Sequence, residues 1–249
     1  MLFRSRSVVR ERAELTVINL GAPIDVLWMR LSKHADDAGQ TFGYLRGGRV
    51  FVMLDRGDYW QCVFAIPKGG YNDFRREGLD AFRKTIATVV PFLDGRVGEL
   101  KDWSDIRLLT VMVDRLREWQ RPGLLCIGDA AHAMSPIGGV GINLAIQDAV
   151  ASANILAAPL LRGVPTLDDL KAVQRRRQFP TRVTQRAQIL IQNRVISRTL
   201  RGGAPAAVPF IARLLRDLPI LRRLPARMVG LGVRPEHVET PDAFQDARV

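Results

Sequence analysis

Polar and hydrophobic residues alternate through much of the first half of the chain, a pattern typical of half-buried β-strands. The alternation is clear over Asp25–Lys33, and Gly43–Pro67 divides into three strand-like runs at turns around Gly47 and Gly57. Because the connections are too short for helical crossovers, we expect an antiparallel sheet. Apolar residues with helical spacing follow over Asn72–Val90, which predicts a helix packed on one face of that sheet.

The second half of the chain changes from strand-like to helical patterns. A last alternating strand is predicted at Asp105–Val113, and the all-apolar Leu124–Ile127 is typical of a short strand buried on both faces. A glycine-containing loop then leads into an amphipathic helix predicted from Ile142 to Leu161. The next helix begins at a capping pattern at Thr166 and continues toward Leu200, with a kink predicted at Pro180.

The composition fits a globular protein, since 47% of the 249 residues are hydrophobic and 25% are charged. No run of about 18 uninterrupted apolar residues is present, so no membrane-spanning helix is expected. Cys62 and Cys126 lie in apolar runs, which favours buried free thiols and a cytoplasmic location over a disulfide. His34 and His237 are isolated, and the sequence contains no spacing typical of a metal site.

The net charge of +12 is concentrated toward the end of the chain. From Lys171 onward there are 16 Lys and Arg against 5 Asp and Glu. The segment shows no interleaved platform of aromatic residues to stack on bases and no nucleic-acid-binding motif, so we expect a solvated basic face and no nucleic-acid partner.

The segment Leu124–Leu156 combines a strand, an acidic residue, a glycine loop and a helix start. Asp129 follows the strand, where a carboxylate can accept hydrogen bonds from ligand hydroxyls. The loop glycines can take positive φ and allow a ligand close to the backbone, and the helix opening at Ile142-Asn143 directs free N–H groups at it. On the residues alone, a generic anion or cofactor site and a simple turn with a locally capped Asp129 remain equally good interpretations.

The exact residues of this segment extend that interpretation. They resemble the second FAD-binding signature of FAD-dependent aromatic-ring monooxygenases of the para-hydroxybenzoate hydroxylase type. The residues that carry the resemblance are Gly128-Asp129-Ala130-Ala131-His132, Pro136, Gly138, Gly141, Asn143 and Asp148-Ala149.

The resemblance implies an FAD site in which Asp129 binds the ribityl chain and Pro136 lies beside the isoalloxazine ring. It implies that the backbone from Gly138 to Asn143 faces the pyrimidine end of the flavin. The expected cofactor-binding residues are therefore Gly128, Asp129, Pro136, Gly138, Gly139, Gly141, Ile142 and Asn143. No catalytic side chain is assigned, and His132 and Asp148 are expected to have structural roles.

The implied activity is that of an oxidoreductase. NAD(P)H reduces FAD, the flavin reacts with O₂ to a C4a-hydroperoxide, and an aromatic or related ring is hydroxylated. Two alternatives remain. One is another flavin-dependent oxidoreductase of the same fold, such as a reductase or a halogenase-like relative. The other is a non-catalytic fragment that contacts a membrane surface through the basic helices of Phe210–Met228.

The resemblance also divides the chain and implies an α+β and α/β fold. Residues 1–12 would be a remnant of the N-terminal FAD-binding region and 13–115 the substrate domain, an antiparallel sheet with a packed helix. Residues 116–165 would form the second half of the FAD-binding domain and 166–249 a C-terminal helical region. The family's GxGxxG unit has no match, and Ser7–Arg10 matches only the end of its Asp-Gly motif. We therefore expect an N-terminally truncated chain with an incomplete FAD-binding layer and weak or absent FAD binding on its own.

Overall fold

The computed structural model describes residues 7–37, 39–200 and 223–240. The chain forms two compact units. The first unit comprises 1–21, 112–188 and 214–249, and the second comprises 22–111 and 189–213. The predicted segments 1–12 and 116–165 lie in the first unit, whereas 13–115 and 166–249 each contribute to both units.

Strands and helices of the described residues follow the alternation seen in the sequence. The strands are β1 (Val17–Asn19), β2 (Ile24–Ser32), β3 (Phe42–Arg46), β4 (Arg49–Asp55), β5 (Tyr59–Pro67), β6 (Arg107–Leu109), β7 (Asp114–Leu116), β8 (Gln120–Arg121) and β9 (Leu124–Leu125). The helices are α1 (Val8–Arg12), α2 (Tyr71–Glu77), α3 (Leu79–Val89), α4 (Gly141–Arg162), α5 (Leu167–Ile191), α6 (Ser197–Leu200) and α7 (Arg223–Gly230). A π-helical segment, Gln192–Ile196, connects α5 to α6.

The second unit contains the predicted antiparallel sheet. Its five strands lie in the order β3-β4-β5-β2-β6, and every neighbouring pair is antiparallel. Alternate residues of β2 point into the core, where Phe64 of β5 packs its ring against Phe82 of α3 at a centroid distance of 5.3 Å. The prediction of a sheet covered by a helix on one face is confirmed.

Two predictions for this unit needed correction. The helix predicted over Asn72–Val90 is divided into α2 and α3 because Gly78 has a φ of +92°, which ends the first helix. The strand predicted at Asp105–Val113 is reduced to β6. Asp105 instead closes a capping box with Asp102 in a 3₁₀ turn, so its side chain holds the backbone out of the strand.

The first unit differs from the pattern in two further places. The predicted doubly buried strand Leu124–Ile127 has only two strand residues, both half-buried, and among the described residues it pairs only with β8.

The helix α5 begins as predicted but does not end where a break was expected. Its start is the predicted capping box, in which Thr166 and Asp169 exchange hydrogen bonds. It then continues unbroken through Pro180, which is buried, so packing along this face outweighs the lost backbone hydrogen bond.

The helix α4 is more apolar than expected. With the turn before it, Ile137–Arg162, it is long and apolar enough to cross a membrane by length and composition, and an 18-residue window within it has a mean hydropathy of 1.5. This finding concerns length and composition alone, so the expectation that no helix spans a membrane stays a prediction. One face of α4 packs against the turn at Gly128–Ala130 and carries a fully buried, ion-paired Asp148.

A buried ion pair joins the start of the first unit to β7. Arg10 of α1 binds Asp114 in bidentate fashion, with Nη1–Oδ1 at 2.9 Å and Nη2–Oδ2 at 3.0 Å. Only 6% of Arg10 and 1% of Asp114 is exposed. Asp114 would be an uncompensated buried charge without this partner.

We predict that Arg10→Met lowers the free energy of unfolding by about 3–5 kcal/mol, the usual cost of removing one partner of a buried ion pair. Urea unfolding followed by circular dichroism measures the change. The matched control is Lys171→Met, which removes an exposed pair with Asp168 at 3.4 Å and should cost less than about 1 kcal/mol. Equal losses in the two variants would contradict the role of the Arg10–Asp114 pair.

Candidate functional site

The predicted site residues lie along one continuous path in the first unit. The chain leaves β9, passes through a 3₁₀ turn at Gly128–Ala130 and reaches a second 3₁₀ turn at Ile137–Gly139. It then enters α4 at Gly141. Strand end, glycine loop and helix start therefore meet as the sequence predicts.

Gly128 is a packing residue at the centre of this arrangement. It is buried and has a φ of +56°, and a Cβ placed on it would lie 2.9 Å from the Cβ of Ala145 in α4. Its N–H donates to the Asp148 carboxylate at 3.0 Å. Only glycine combines this backbone conformation with so close an approach to the helix.

Asp129, the next residue, faces the other way. Its side chain is exposed and makes no hydrogen bond or ion pair with any residue that the structure describes. The carboxylate is therefore available to accept hydrogen bonds from the hydroxyl groups of a ligand.

The glycine loop offers an open backbone surface. Gly138 and Gly139 are exposed, with φ values of +77° and +64°, and nothing lies within 4 Å of a Cβ placed on Gly139. Pro136, half-buried with a φ of −66°, precedes the turn that they form. A flat ring could approach this backbone without meeting a side chain from either glycine.

The start of α4 has no side-chain cap. Val140 precedes the helix and offers no hydrogen-bonding side chain, so the amides of Gly141, Ile142 and Asn143 lack intrahelical acceptors. The Asn143 side chain does not cap them, because its Nδ2 donates to the carbonyl of Val229 at 3.2 Å. These N–H groups, at the positive end of the helix dipole, can stabilise an oxygen that gains negative charge.

A buried carboxylate, Asp148, joins α4 to the turn after β9. One of its oxygens accepts from His132 Nε2 at 2.6 Å and from the Gly128 N–H, and the other accepts from Arg177 Nε at 2.9 Å. Burial raises the pKa of Asp148, but the hydrogen bonds and charges of His132 and Arg177 outweigh it and hold the pKa below its ordinary value. The carboxylate therefore stays ionised inside the protein, and the expected structural roles of His132 and Asp148 agree with this geometry.

Arg177 extends this network to the end of the described chain. Its side chain is fully buried, and Nη1 donates to Glu236 Oε1 at 3.1 Å and to the carbonyl of Arg234 at 3.0 Å. Arg176 also pairs with Glu236, at 2.8 Å. The irregular segment that follows α7 is thus fixed against α5 by charge.

Buried glutamines of α5 were missed by the sequence interpretation. Gln185 Nε2 donates to the carbonyls of Asp114 and Ala133, and Gln188 Nε2 donates to those of Ser135 and Ile137. An amide side chain can satisfy backbone carbonyls that no strand partner reaches, so these residues hold the loop that leads to Pro136. Their spacing of three places them on one face of the helix, the only sequence signal that could have found them.

The residues present fit the flavin that the sequence suggests. The exposed Asp129 carboxylate suits the hydroxyls of a ribityl chain, and the open glycine backbone with the uncapped α4 N-terminus suits the polar edge of a flavin ring. Among the described residues, no group of His, Cys, Asp and Glu is arranged to hold a metal ion.

Comparison with known families agrees with this fit. Residues 5–187 match the family described as the FAD binding domain. The chain belongs to this family of FAD-using oxidoreductases. The curated relatives that it matches include FAD-dependent monooxygenases, so the predicted lineage is confirmed.

Two curated relatives illustrate the similarity. The chain is 35% identical over 219 residues to 6-methylpretetramide 4-monooxygenase of Streptomyces rimosus, an alignment that covers 86% of this chain and 52% of the relative. It is 32% identical over 225 residues to the FAD-dependent monooxygenase idtM of Claviceps paspali, covering 81% and 42%. The chain thus spans about half the length of the curated relatives it matches.

Solved structures share the fold. The probable FAD-dependent monooxygenase pqsL of Pseudomonas aeruginosa superposes with a TM-score of 0.63 at 20% identity, covering 78% of this chain and 55% of that one. The flavin-dependent brominase Bmp2 gives a TM-score of 0.68 at 16% identity, covering 96% and 59%. The mixed helix and sheet architecture predicted from the sequence is confirmed by these neighbours.

The close contact at Gly128 leads to a stability prediction. Gly128→Ala should lower the free energy of unfolding by about 2–5 kcal/mol, because it adds overlap with Ala145 to the strain of positive φ. Gly139→Ala, the control with similar φ and open space, should cost only about 1–2 kcal/mol. Chemical denaturation of both variants tests this, and equal costs would show that contact with α4 is unimportant.

The buried Asp148 network leads to a second prediction. Asp148→Asn should lower the unfolding free energy by about 3–5 kcal/mol at neutral pH, since Arg177 loses one of its two buried counter-charges. Because the folded-state pKa of Asp148 is depressed, its contribution is present above the unfolded pKa of about 4 and is lost as the pH falls through the folded value.

The difference in unfolding free energy between the wild type and Asp148→Asn should therefore shrink as the pH falls below about 4. Urea titrations across the acidic range measure it. Asp168→Asn, at an exposed position of α5, is the control and should show little pH-dependent difference. A difference for Asp148→Asn that stays constant down to the lowest pH would disprove the assignment.

Proposed function

We propose that this chain supplies the flavin-contacting part of an FAD-dependent monooxygenase that hydroxylates an aromatic or related ring. The observation that carries the proposal is the exposed Asp129 carboxylate, which has no partner among the described residues, beside the open Gly138-Gly139 backbone and the uncapped start of α4. Membership of the FAD binding domain family supports the choice of FAD as the ligand.

Each part of the site has a distinct task in this proposal. Asp129 accepts hydrogen bonds from the ribityl hydroxyls of FAD, and the exposed backbone of Gly138 and Gly139 gives the ring system space to lie close. The amides at the start of α4 stabilise negative charge on the polar edge of the reduced ring. The protein orients the cofactor and needs no side-chain nucleophile for these tasks.

FAD, when bound, supplies the redox chemistry, passing two electrons from the reductant to molecular oxygen. The balanced reaction consumes NAD(P)H, a proton, O₂ and the ring substrate, and yields NAD(P)⁺, water and the hydroxylated ring. NAD(P)H, O₂ and a small aromatic substrate are therefore the proposed reactants. The names of the curated relatives, which include a kynurenine 3-monooxygenase, support a small-molecule substrate.

Another flavin-dependent activity remains the main alternative, since the fold is shared with a flavin-dependent brominase. Oxidation of NAD(P)H without a hydroxylated product would favour it. The membrane alternative rests on Phe210–Met228, most of which lies outside the described residues.

The assignment of Asp129 can be tested by titrating the purified chain with FAD and following flavin fluorescence. We expect weak FAD binding that Asp129→Asn weakens further, about 10- to 100-fold, the effect of removing hydrogen bonds to a charged acceptor. NADH or NADPH oxidation, O₂ uptake and hydroxylated product from a panel of aromatic compounds then report turnover.

Glu118→Gln is the matched control for charge, because Glu118 is exposed in the same unit and forms no ion pair with the described residues. It should bind FAD as the wild type does. FAD affinity that is unchanged by Asp129→Asn would overturn the assignment.

A further inference from the structure

Three arginines of the first unit converge at one place on β7 and α5. Arg115 of β7 donates from Nη1 to Gln185 Oε1 at 3.2 Å. Arg182 and Arg186 lie on the same face of α5, one turn apart and on either side of Gln185 in the sequence. Burial lowers the pKa of Arg115 from its ordinary value, and the nearby positive charges of Arg182 and Arg186 lower it further.

Arg115 is half-buried, whereas Arg182 and Arg186 are exposed. Among the described residues this cluster lacks the counter-charge that accompanies Arg10 and Arg177, the buried arginines of the unit. Arg10 is paired with Asp114, and Arg177 is paired with Asp148 and Glu236. Within 7–37, 39–200 and 223–240, no carboxylate forms an ion pair with Arg115, Arg182 or Arg186. In addition, Arg115 Nε is buried and has no hydrogen-bond acceptor in that part of the chain.

Such an arrangement is unfavourable unless something compensates for it. Neighbouring like charges raise the free energy of the folded state, and the buried Nε–H of Arg115, without an acceptor among the described residues, loses its hydration. Three guanidinium groups that share one small region match the oxygens of a tetrahedral dianion, because each can donate a forked pair of hydrogen bonds. A single carboxylate would leave more of these donors unused.

We propose that Arg115, Arg182 and Arg186 form a binding site for a phosphate group. The ligand is either free inorganic phosphate or a phosphate carried by a nucleotide. The same Gln185 that contacts Arg115 also donates to the carbonyl of Ala133, in the loop that leads to Pro136. The site therefore lies beside the candidate FAD loop, and its use for the phosphate of a nicotinamide reductant rests on the proposed function.

Calorimetric titration of the purified chain at low ionic strength, without FAD, tests the site directly. The probes are inorganic phosphate and 2′,5′-ADP, with chloride as the anion control. We expect saturable phosphate binding, and we expect Arg182→Gln and Arg186→Gln each to weaken it about 10-fold, the effect of losing one charge-assisted contact. Because no flavin is present, failure here is distinguishable from failure of the proposed function.

Arg175→Gln is the matched control, since Arg175 is exposed on the same helix and removes the same charge outside the cluster. It should change the affinity by less than about twofold. Equal weakening of phosphate binding in all three variants would show non-specific attraction by a basic surface and would contradict the proposed site. The absence of saturable binding of either probe would also overturn the proposal.

Two readouts complete the test. Tighter binding of 2′,5′-ADP than of inorganic phosphate would identify a nucleotide phosphate as the ligand, whereas equal affinities would identify the free anion. The melting temperatures of ligand-free Arg182→Gln and Arg186→Gln should match or exceed that of the wild type, because each removes a like-charge contact. Lower melting temperatures with unchanged phosphate affinity would give these arginines a structural role instead.

Discussion

The buried carboxylate of Asp148 is the interaction on which the first unit depends. It lies on α4 and accepts hydrogen bonds from the turn after β9, from His132 and from Arg177 of α5. Arg177 in turn holds the segment around Glu236. Because a fully buried charge is tolerated only when paired and hydrogen-bonded, these elements must come together for any one of them to be stable.

This constraint explains how one short motif serves both packing and binding. Gly128 and His132 turn inward to satisfy Asp148, and the close approach that this requires leaves no space for a side chain at Gly128. Asp129, between them, consequently points outward with its carboxylate free of described partners. Gln185 and Gln188 of α5 donate hydrogen bonds to carbonyls of the loop that follows. These bonds fix the loop, so Gly138 and Gly139 can stay exposed to a ligand.

Local patterns predicted most of the elements, because alternation and capping act over a few residues. The antiparallel strands β3–β5, the start of α4 and the capping box at Thr166 are all present. The incorrect predictions of secondary structure have non-local causes or depend on one backbone angle. Pro180 does not end α5, since the buried face of that helix outweighs the missing N–H. Positive φ at Gly78, in contrast, divides a segment whose apolar spacing predicted one helix.

The sequence by itself determined the lineage and the candidate FAD residues, because strand, acidic residue, glycines and helix start are consecutive in the chain and need no distant partner to be recognised. Only the tertiary structure decided which side chains hold them. The partners of Asp148, Gln185 and Arg10 lie between 16 and 104 positions away, and no local pattern encodes such pairings. The same holds for the arginine cluster. In the sequence Arg182 and Arg186 belong to a generally basic helix, and only the contact of Arg115 in β7 with Gln185 of α5 brings a third arginine near them.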